Sequence, residues 1–222
     1  MNLLTRLLSS IWVVATVVST PAHAASVAPV AAEHGMVVTA QHLATQVGVD
    51  VLKRGGNAVD AAVAVGYALA VVYPAAGNLG GGGFMTLHLA DGRQTFIDFR
   101  EVAPLAASAD MYLDGNGELI PGLSTLGYKA VAVPGTVAGL ELALSRYGSM
   151  RRAQLIAPAI DLAERGFVLD AGDVSMIESS AALLAADPTS ATIFLDAGAA
   201  PGVGDKLRQK DLARTLKAIA RH

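Results

Sequence analysis

One stretch constrains the fold of this chain more than any other: AVDAAVAVGYALAVVY, residues 58–73. Read as a helix it is apolar on nearly every side, and a helix without a polar face has to be surrounded by protein. Ala62, Ala64, Gly66, Ala68 and Ala70 keep it thin, so other layers can approach closely. Asn57 supplies an N-cap, Asp60 puts a carboxylate in the first turn where the helix dipole favours an anion, and Pro74 ends the run. With Asp60 inside and soluble-type flanks, the segment reads as a core helix rather than a membrane span. Burying it takes ample apolar material. The chain has it: 222 residues, 53% hydrophobic and 16% charged, enough for one domain or a small pair.

The same composition excludes several chemistries. A formal charge of −3 leaves no electrostatic footprint for nucleic acid. There is no cysteine, so thiol nucleophiles, disulfides and thiolate zinc sites are excluded. His23, His34, His42, His88 and His222 form no HExxH or other helical ligand spacing, and no metal or cofactor is expected. The first residues are a separate case. MNLLTR, then LLSSIWVVATVVS, then TPAHA predict a secretory signal peptide over residues 1–24, cut after Ala24 under the A-x-A rule. Its apolar run is shorter than the roughly 20 residues of a spanning helix. An exported, periplasmic or secreted chain starting at Ala25 is the expectation, with no membrane contact after cleavage.

Along the remainder, MVVTA (36–40) predicts a short strand, and QHLATQVGVDVLKRGG an amphipathic helix with Leu43, Val47 and Val51 on one face. Gly55-Gly56 provides its left-handed stop. After the core helix comes GNLGGGGF (77–84). Glycine-rich loops can cradle phosphates, but those run from a strand into a helix, whereas this one leaves a helix and enters a strand. FMTLHLA (84–90), Asp91-Gly92 and RQTFIDF (93–99) predict a β-hairpin. The glycines therefore predict close packing of backbone against another layer.

Arg100, in DFREVAP, stands at the end of the second strand beside Asp98 and Glu101. Its guanidinium could grip a substrate carboxylate with two parallel hydrogen bonds. It could equally form a local ion pair with Asp98 or Glu101, and residue chemistry alone favours that reading. GLSTLG does not fit the nucleophile-elbow pattern, so Ser124 is an ordinary loop hydroxyl. Downstream, KAVAVPG (129–135) predicts a strand and TVAGLELALSRYG a helix ended by Gly148. RRAQLIAPAIDLAERG (151–166) predicts a helix broken at Pro158, and residues 171–186 another helix. DPTSATIF leads into turns. A closing amphipathic helix has Leu212, Leu216 and Ile219 facing inward.

Several stretches together resemble the γ-glutamyltransferase (glutathione hydrolase) family of N-terminal-nucleophile hydrolases. They are VVTAQHLATQVGVDVLKRGGNAVDAAVAVGYALAVVYP, GNLGGGGFMTLHLADG, DFREVAP, AVPGTVAGLELALSRYG, APAIDLAERGF and GDKLRQKDLARTLKAIA, in the family's order. RGGNAVDAAVA and the four-glycine run are the most specific. The resemblance implies an α/β (α+β layered) fold, part of a stacked αββα sandwich. It also implies a precursor that cleaves itself into large and small subunits. The freed threonine of the small subunit would attack a γ-glutamyl amide such as glutathione, with its own α-amine as base. The glutamyl group would then pass to water or an amino acid. Arg100 coincides with the family arginine that binds the α-carboxylate of the glutamyl moiety, which favours the clamp over the local ion pair.

The matched stretches cover the first part of the large subunit, so residues 25–222 are expected to be a truncated N-terminal portion of that domain. The nucleophile, the oxyanion hole and the small subunit would lie outside it. Thr39, Thr45, Thr86, Thr125, Thr136 and Thr189 sit within scaffold elements or loops. The chain alone is therefore expected to be inactive. The alternatives are a silent exported module that binds carboxylates through Arg100, or a remnant that does not fold.

Overall fold

The structure, a computed structural model, describes residues 29–221. The expected signal peptide and the cut after Ala24 lie outside the described residues. Contacts divide the chain into a unit ending at His34 and a second, Gly35–His222, which holds every helix and strand described below.

Helix α1, His42–Lys53, starts at Gln41, whose side chain accepts from the Leu43 N–H, and buries Ala44, Val47, Gly48 and Val51. Its end is a Schellman turn. Gly55 takes φ +87°, the Gly55 N–H donates to the Leu52 carbonyl, and the Gly56 N–H donates to the Val51 carbonyl. Helix α2, Ala58–Val72, follows with Asn57 as cap in a full capping box with Asp60. Of its 15 residues ten are buried. It packs against α1, against α3 (Thr136–Tyr147) and against α4 (Arg152–Arg165), and α4 in turn carries α7 (Lys210–Arg221). The interior position that its composition demands is thus built by three neighbouring helices, with α7 behind α4. Gly66 lets α3 come close, since a Cβ there would lie 3.1 Å from Leu140. The remaining strip, including Ala62 and Val65, borders an open groove with Met36–Thr39.

Two polar groups join these layers. Asp60 is fully buried and accepts from the Asn57 N–H (2.8 Å), the Ser149 N–H (2.9 Å), the Ser149 hydroxyl (2.6 Å) and the Met150 N–H (3.0 Å). It thereby ties the start of α2 to the α3–α4 turn. Burial raises its pKa, but the four hydrogen bonds, that of the Ser149 hydroxyl foremost, outweigh it and hold the carboxyl below its ordinary value. At the other end Gln209 Nε2 donates to the Val71 carbonyl (2.7 Å), satisfying a helix-end acceptor that α2 cannot pair itself.

The hairpin forms as expected but shorter. Strands β1 (Phe84–His88) and β2 (Gln94–Asp98) pair antiparallel around the Asp91-Gly92 turn, where Gly92 has φ +85°. A second two-stranded ladder joins β3 (Phe167–Val168) to β4 (Lys206–Leu207). Helix α5, Ala171–Ala186, occupies its expected span, and the inward face of α7 has Leu216 fully buried with Leu212 and Ile219 half-buried.

Three expectations need correction. MVVTA is not a strand, and it finds no ladder partner among the described residues. KAVAVPG contains a 3-10 turn at Tyr128–Ala130 and a single bridge, Val133 to Val102, because one partner segment cannot extend a ladder through Pro134. Helix α4 runs through Pro158 without a break. The carbonyl that loses its donor is that of exposed Gln154, which water can serve, while Leu155 and Ala159 anchor both sides in the core. DPTSATIF, to which the sequence reading assigns no element, is a helix, α6 (Pro188–Phe194), signalled by the Asp187 cap and Pro188 in the first turn, and it leads into turns as expected.

Candidate functional site

The glycine run exists to bring three backbone segments together. A Cβ at Gly82 would lie 2.5 Å from the Phe99 carbonyl oxygen, 2.7 Å from Glu101 N and 2.9 Å from the Arg100 carbonyl carbon. One at Gly83 would lie 2.9 Å from the Phe99 ring. Gly135 likewise abuts the Phe99 and Arg100 carbonyls, and Gly139 of α3 abuts the Phe99 ring. None of the four glycines at 80–83 has a positive φ, so at Gly81, Gly82 and Gly83 it is space rather than turn geometry that excludes a side chain. Gly80 is different: a Cβ there would meet nothing within 4 Å, and close packing does not explain it.

Hydrogen bonds lock this stack. Gly83 and Phe99 extend the hairpin ladder, and the Val102–Val133 bridge sets the next segment alongside. The Gly135 and Thr136 N–H groups both donate to the Gly81 carbonyl, at 2.8 and 3.1 Å. Asn78, Thr136, Gly135 and Gly139 belong to this site and were missed by sequence reasoning. A usable signal was the Asn placed three residues before Gly81, a spacing at which an Asn side chain closes its own turn.

Arg100 emerges from that stack. Its backbone N–H donates to Asp98 Oδ1 (3.0 Å), and its side chain is exposed. Among the described residues it forms no ion pair with Asp98 or Glu101, so the local-pair reading is not what the geometry shows. The result is an available guanidinium on a closely packed backbone. It can accept a carboxylate on two parallel hydrogen bonds. Beside it the outer hairpin face carries Phe84 and Phe96, stacked at 5.8 Å and each more than half exposed.

The other candidates separate from this cluster. Ser124 lies in an exposed turn and takes no part. Thr39 bonds with Thr45, and Thr136 serves the glycine loop. No group of three or more His, Asp or Glu side chains suited to a metal occurs among the described residues. No helix among them is long and apolar enough to cross a membrane.

Comparison with known proteins gives this geometry a context. The family profile described as Gamma-glutamyltranspeptidase matches residues 44–222. The chain is 64% identical over 199 residues to the glutathione hydrolase proenzyme of Pseudomonas sp. strain A14, covering 89% of this chain and 35% of that protein. It is 49% identical over 195 residues to the glutathione hydrolase proenzyme of Escherichia coli K12, covering 86% and 33%. Among solved structures, the γ-glutamyltranspeptidase of Helicobacter pylori superposes with a TM-score of 0.84 at 44% identity, over 87% of this chain and 56% of that one. The chain thus spans about a third of the length of these curated relatives. Its mixed helix and sheet is part of the N-terminal-nucleophile hydrolase fold. On the match over residues 44–222 and these identities, the chain belongs to the gamma-glutamyltranspeptidase family.

Proposed function

We propose that this chain forms the substrate-anchoring part of a γ-glutamyl-transferring hydrolase that acts on glutathione or a related γ-glutamyl amide. Arg100 holds the α-carboxylate of the glutamyl moiety in a two-point ion pair, which orients the γ-carbonyl without taking part in bond making. The attacking hydroxyl belongs to a threonine at the N-terminus of a small subunit from the same precursor. Its oxygen bonds to the γ-carbonyl carbon, the amide C–N bond breaks, and the threonine's own α-amine carries the proton to the leaving nitrogen. Water or an amino-acid acceptor then takes the glutamyl group. The mature segment begins at Ala25 after export, consistent with a periplasmic or secreted enzyme.

The observation that carries this reading is the exposed Arg100 guanidinium, unpaired among the described residues and set on a backbone packed against glycines. Titration of the 222-residue chain with L-glutamate, followed at the Arg100 Nε–H resonance, tests it. The α-amide of glutamate, which lacks the α-carboxylate, is the control. Loss of a charged hydrogen-bond pair is worth about 1.5–3 kcal/mol, so Arg100→Ala is expected to weaken glutamate binding about 10- to 100-fold. Equal response to glutamate and its α-amide would refute the clamp. The chain alone is expected not to hydrolyse a γ-glutamyl anilide, and turnover by it would refute the assignment of the nucleophile to the small subunit.

A further inference from the structure

The side chain of Asn78 joins the two segments against which the Arg100 backbone packs. Its Oδ1 accepts from the Gly81 N–H (2.7 Å) and from the Thr136 hydroxyl (3.0 Å), and its Nδ2 donates to the Ala76 carbonyl (2.9 Å). These partners fix the orientation of the amide, since one end meets only donors and the other a carbonyl. The Gly81 carbonyl accepts in turn from the Gly135 and Thr136 N–H groups. The entry to β1 and the first turn of α3 are therefore one hydrogen-bonded unit, and Thr136, 8% exposed, is its buried member.

The Phe99–Glu101 backbone packs against this unit, and the side-chain hydrogen bond it receives is local, from the Arg100 N–H to Asp98 Oδ1 (3.0 Å). Gly82 and Gly135 both abut it, each at the Phe99 carbonyl. Beyond that bond and the flanking ladder, the placement of the Arg100 backbone depends on its contacts with Gly82 and Gly135, whose separation Asn78 and Thr136 maintain. We propose that Asn78, acting through Gly81 and Thr136, is a positioning residue for Arg100. It touches no substrate. Its consequence for binding rests on the assignment of Arg100 as the carboxylate clamp.

Two readouts on the 222-residue chain test this separately. The 15N order parameter of the Arg100 backbone amide reports positioning without any ligand, and L-glutamate titration at the Arg100 Nε–H reports the clamp. Asn78→Ala and Thr136→Val are expected to lower the order parameter from about 0.85 toward about 0.6. Both are expected to weaken glutamate binding about tenfold. Thr136→Ser keeps the hydroxyl and is expected to retain both values. Val174→Ala, a core truncation in α5 remote from the stack, is the control for general destabilisation and should leave the Arg100 order parameter unchanged. If Asn78→Ala does not fold, the Thr136 pair carries the test. Unchanged dynamics at Arg100 in the folded latch variants overturns the positioning role, whatever glutamate does. Loosened dynamics with no glutamate response in the parent chain supports the latch and overturns the clamp instead.

Discussion

An alanine at position 82 should damage this protein, and an alanine two residues earlier should not. At Gly82 the added Cβ falls 2.5, 2.7 and 2.9 Å from three backbone atoms of Phe99, Glu101 and Arg100. Carbon contacts are most favourable at about 3.5–4.0 Å, so the Arg100 segment has to retreat by roughly 1 Å. Backbone atoms cannot swing aside as a side-chain tip does, and overpacking of this kind costs about 1–3 kcal/mol. The retreat also moves Arg100, and a misplacement near 1 Å can cost about 100-fold where a substrate is oriented. At Gly80 nothing lies within 4 Å and φ is not positive, so alanine fits. It should stabilise by about 0.4–1 kcal/mol by restricting the unfolded chain. The two variants should thus differ by roughly 1.4–4 kcal/mol, which for a chain of this size is a gap of about 3–16 °C in Tm. Thermal melts by circular dichroism, with glutamate titrations on the same samples, measure both effects. Coincident melts and equal glutamate affinities for Gly82→Ala and Gly80→Ala would show that the glycine stack neither bears on stability nor places Arg100.

Three further expectations follow from buried polar groups. Asp60→Ala strips the acceptor from four donors, of which those on Asn57 and Ser149 can rehydrate, and should cost about 2–4 kcal/mol at pH 7. Because its folded pKa lies below the unfolded value near 3.8, that stability is present above pH ~4 and is lost as pH falls through the folded pKa. Melts at pH 7 and pH 3 should therefore show the gap to the parent narrowing in acid. Asp173 is the opposite case: burial foremost raises its pKa. Its charge costs stability above the folded pKa and the cost vanishes below the unfolded one, so Asp173→Asn should raise Tm at pH 7 and lose that advantage near pH 3. The Tyr67 hydroxyl is buried without a hydrogen-bond partner among the described residues, and burial pushes its pKa up to about 12. Tyr67→Phe should be neutral or stabilising by up to about 2 kcal/mol in a denaturant melt, whereas a clear loss would reveal a partner for that hydroxyl.

Periodicity made the helical part of the fold legible. The apolar surround of α2, the Gly55 stop on α1, the Asn57 cap and the inward face of α7 each follow from side chains within a turn or two of one another. Asp91-Gly92 marked the hairpin for the same local reason. What escaped was non-local. Whether MVVTA or KAVAVPG becomes a strand depends on a partner's backbone, and neither has more than a single bridge among the described residues. Pro158 announced a break that the burial of Leu155 and Ala159 overrode. In the candidate site, Arg100 was visible through its residue type and the resemblance of its surroundings. Its supports were not, because Asn78 and Thr136 stand 58 positions apart and only the fold brings them into contact.

The division between core and site has a physical reason. A guanidinium that is to receive a carboxylate has to keep its donors accessible, so it cannot be fixed by burying its own side chain. The alternative is to fix the backbone that carries it, and close packing against that backbone leaves no room for Cβ atoms at the contact points. Glycines at 82, 83, 135 and 139 satisfy that requirement at the cost of greater chain entropy lost on folding. The hairpin ladder and the Asn78–Thr136 bond hold the segments together. Sensitivity should accordingly run opposite to proximity in sequence. Glu101→Gln, adjacent to Arg100 but outside the stack's hydrogen bonds, should leave Arg100 in place, while Gly135→Ala, thirty-five positions away, should displace it. Chemical shifts of the Arg100 amide in the two variants decide the point, and a larger change in Glu101→Gln than in Gly135→Ala would mean that local charge, not backbone packing, determines where Arg100 stands.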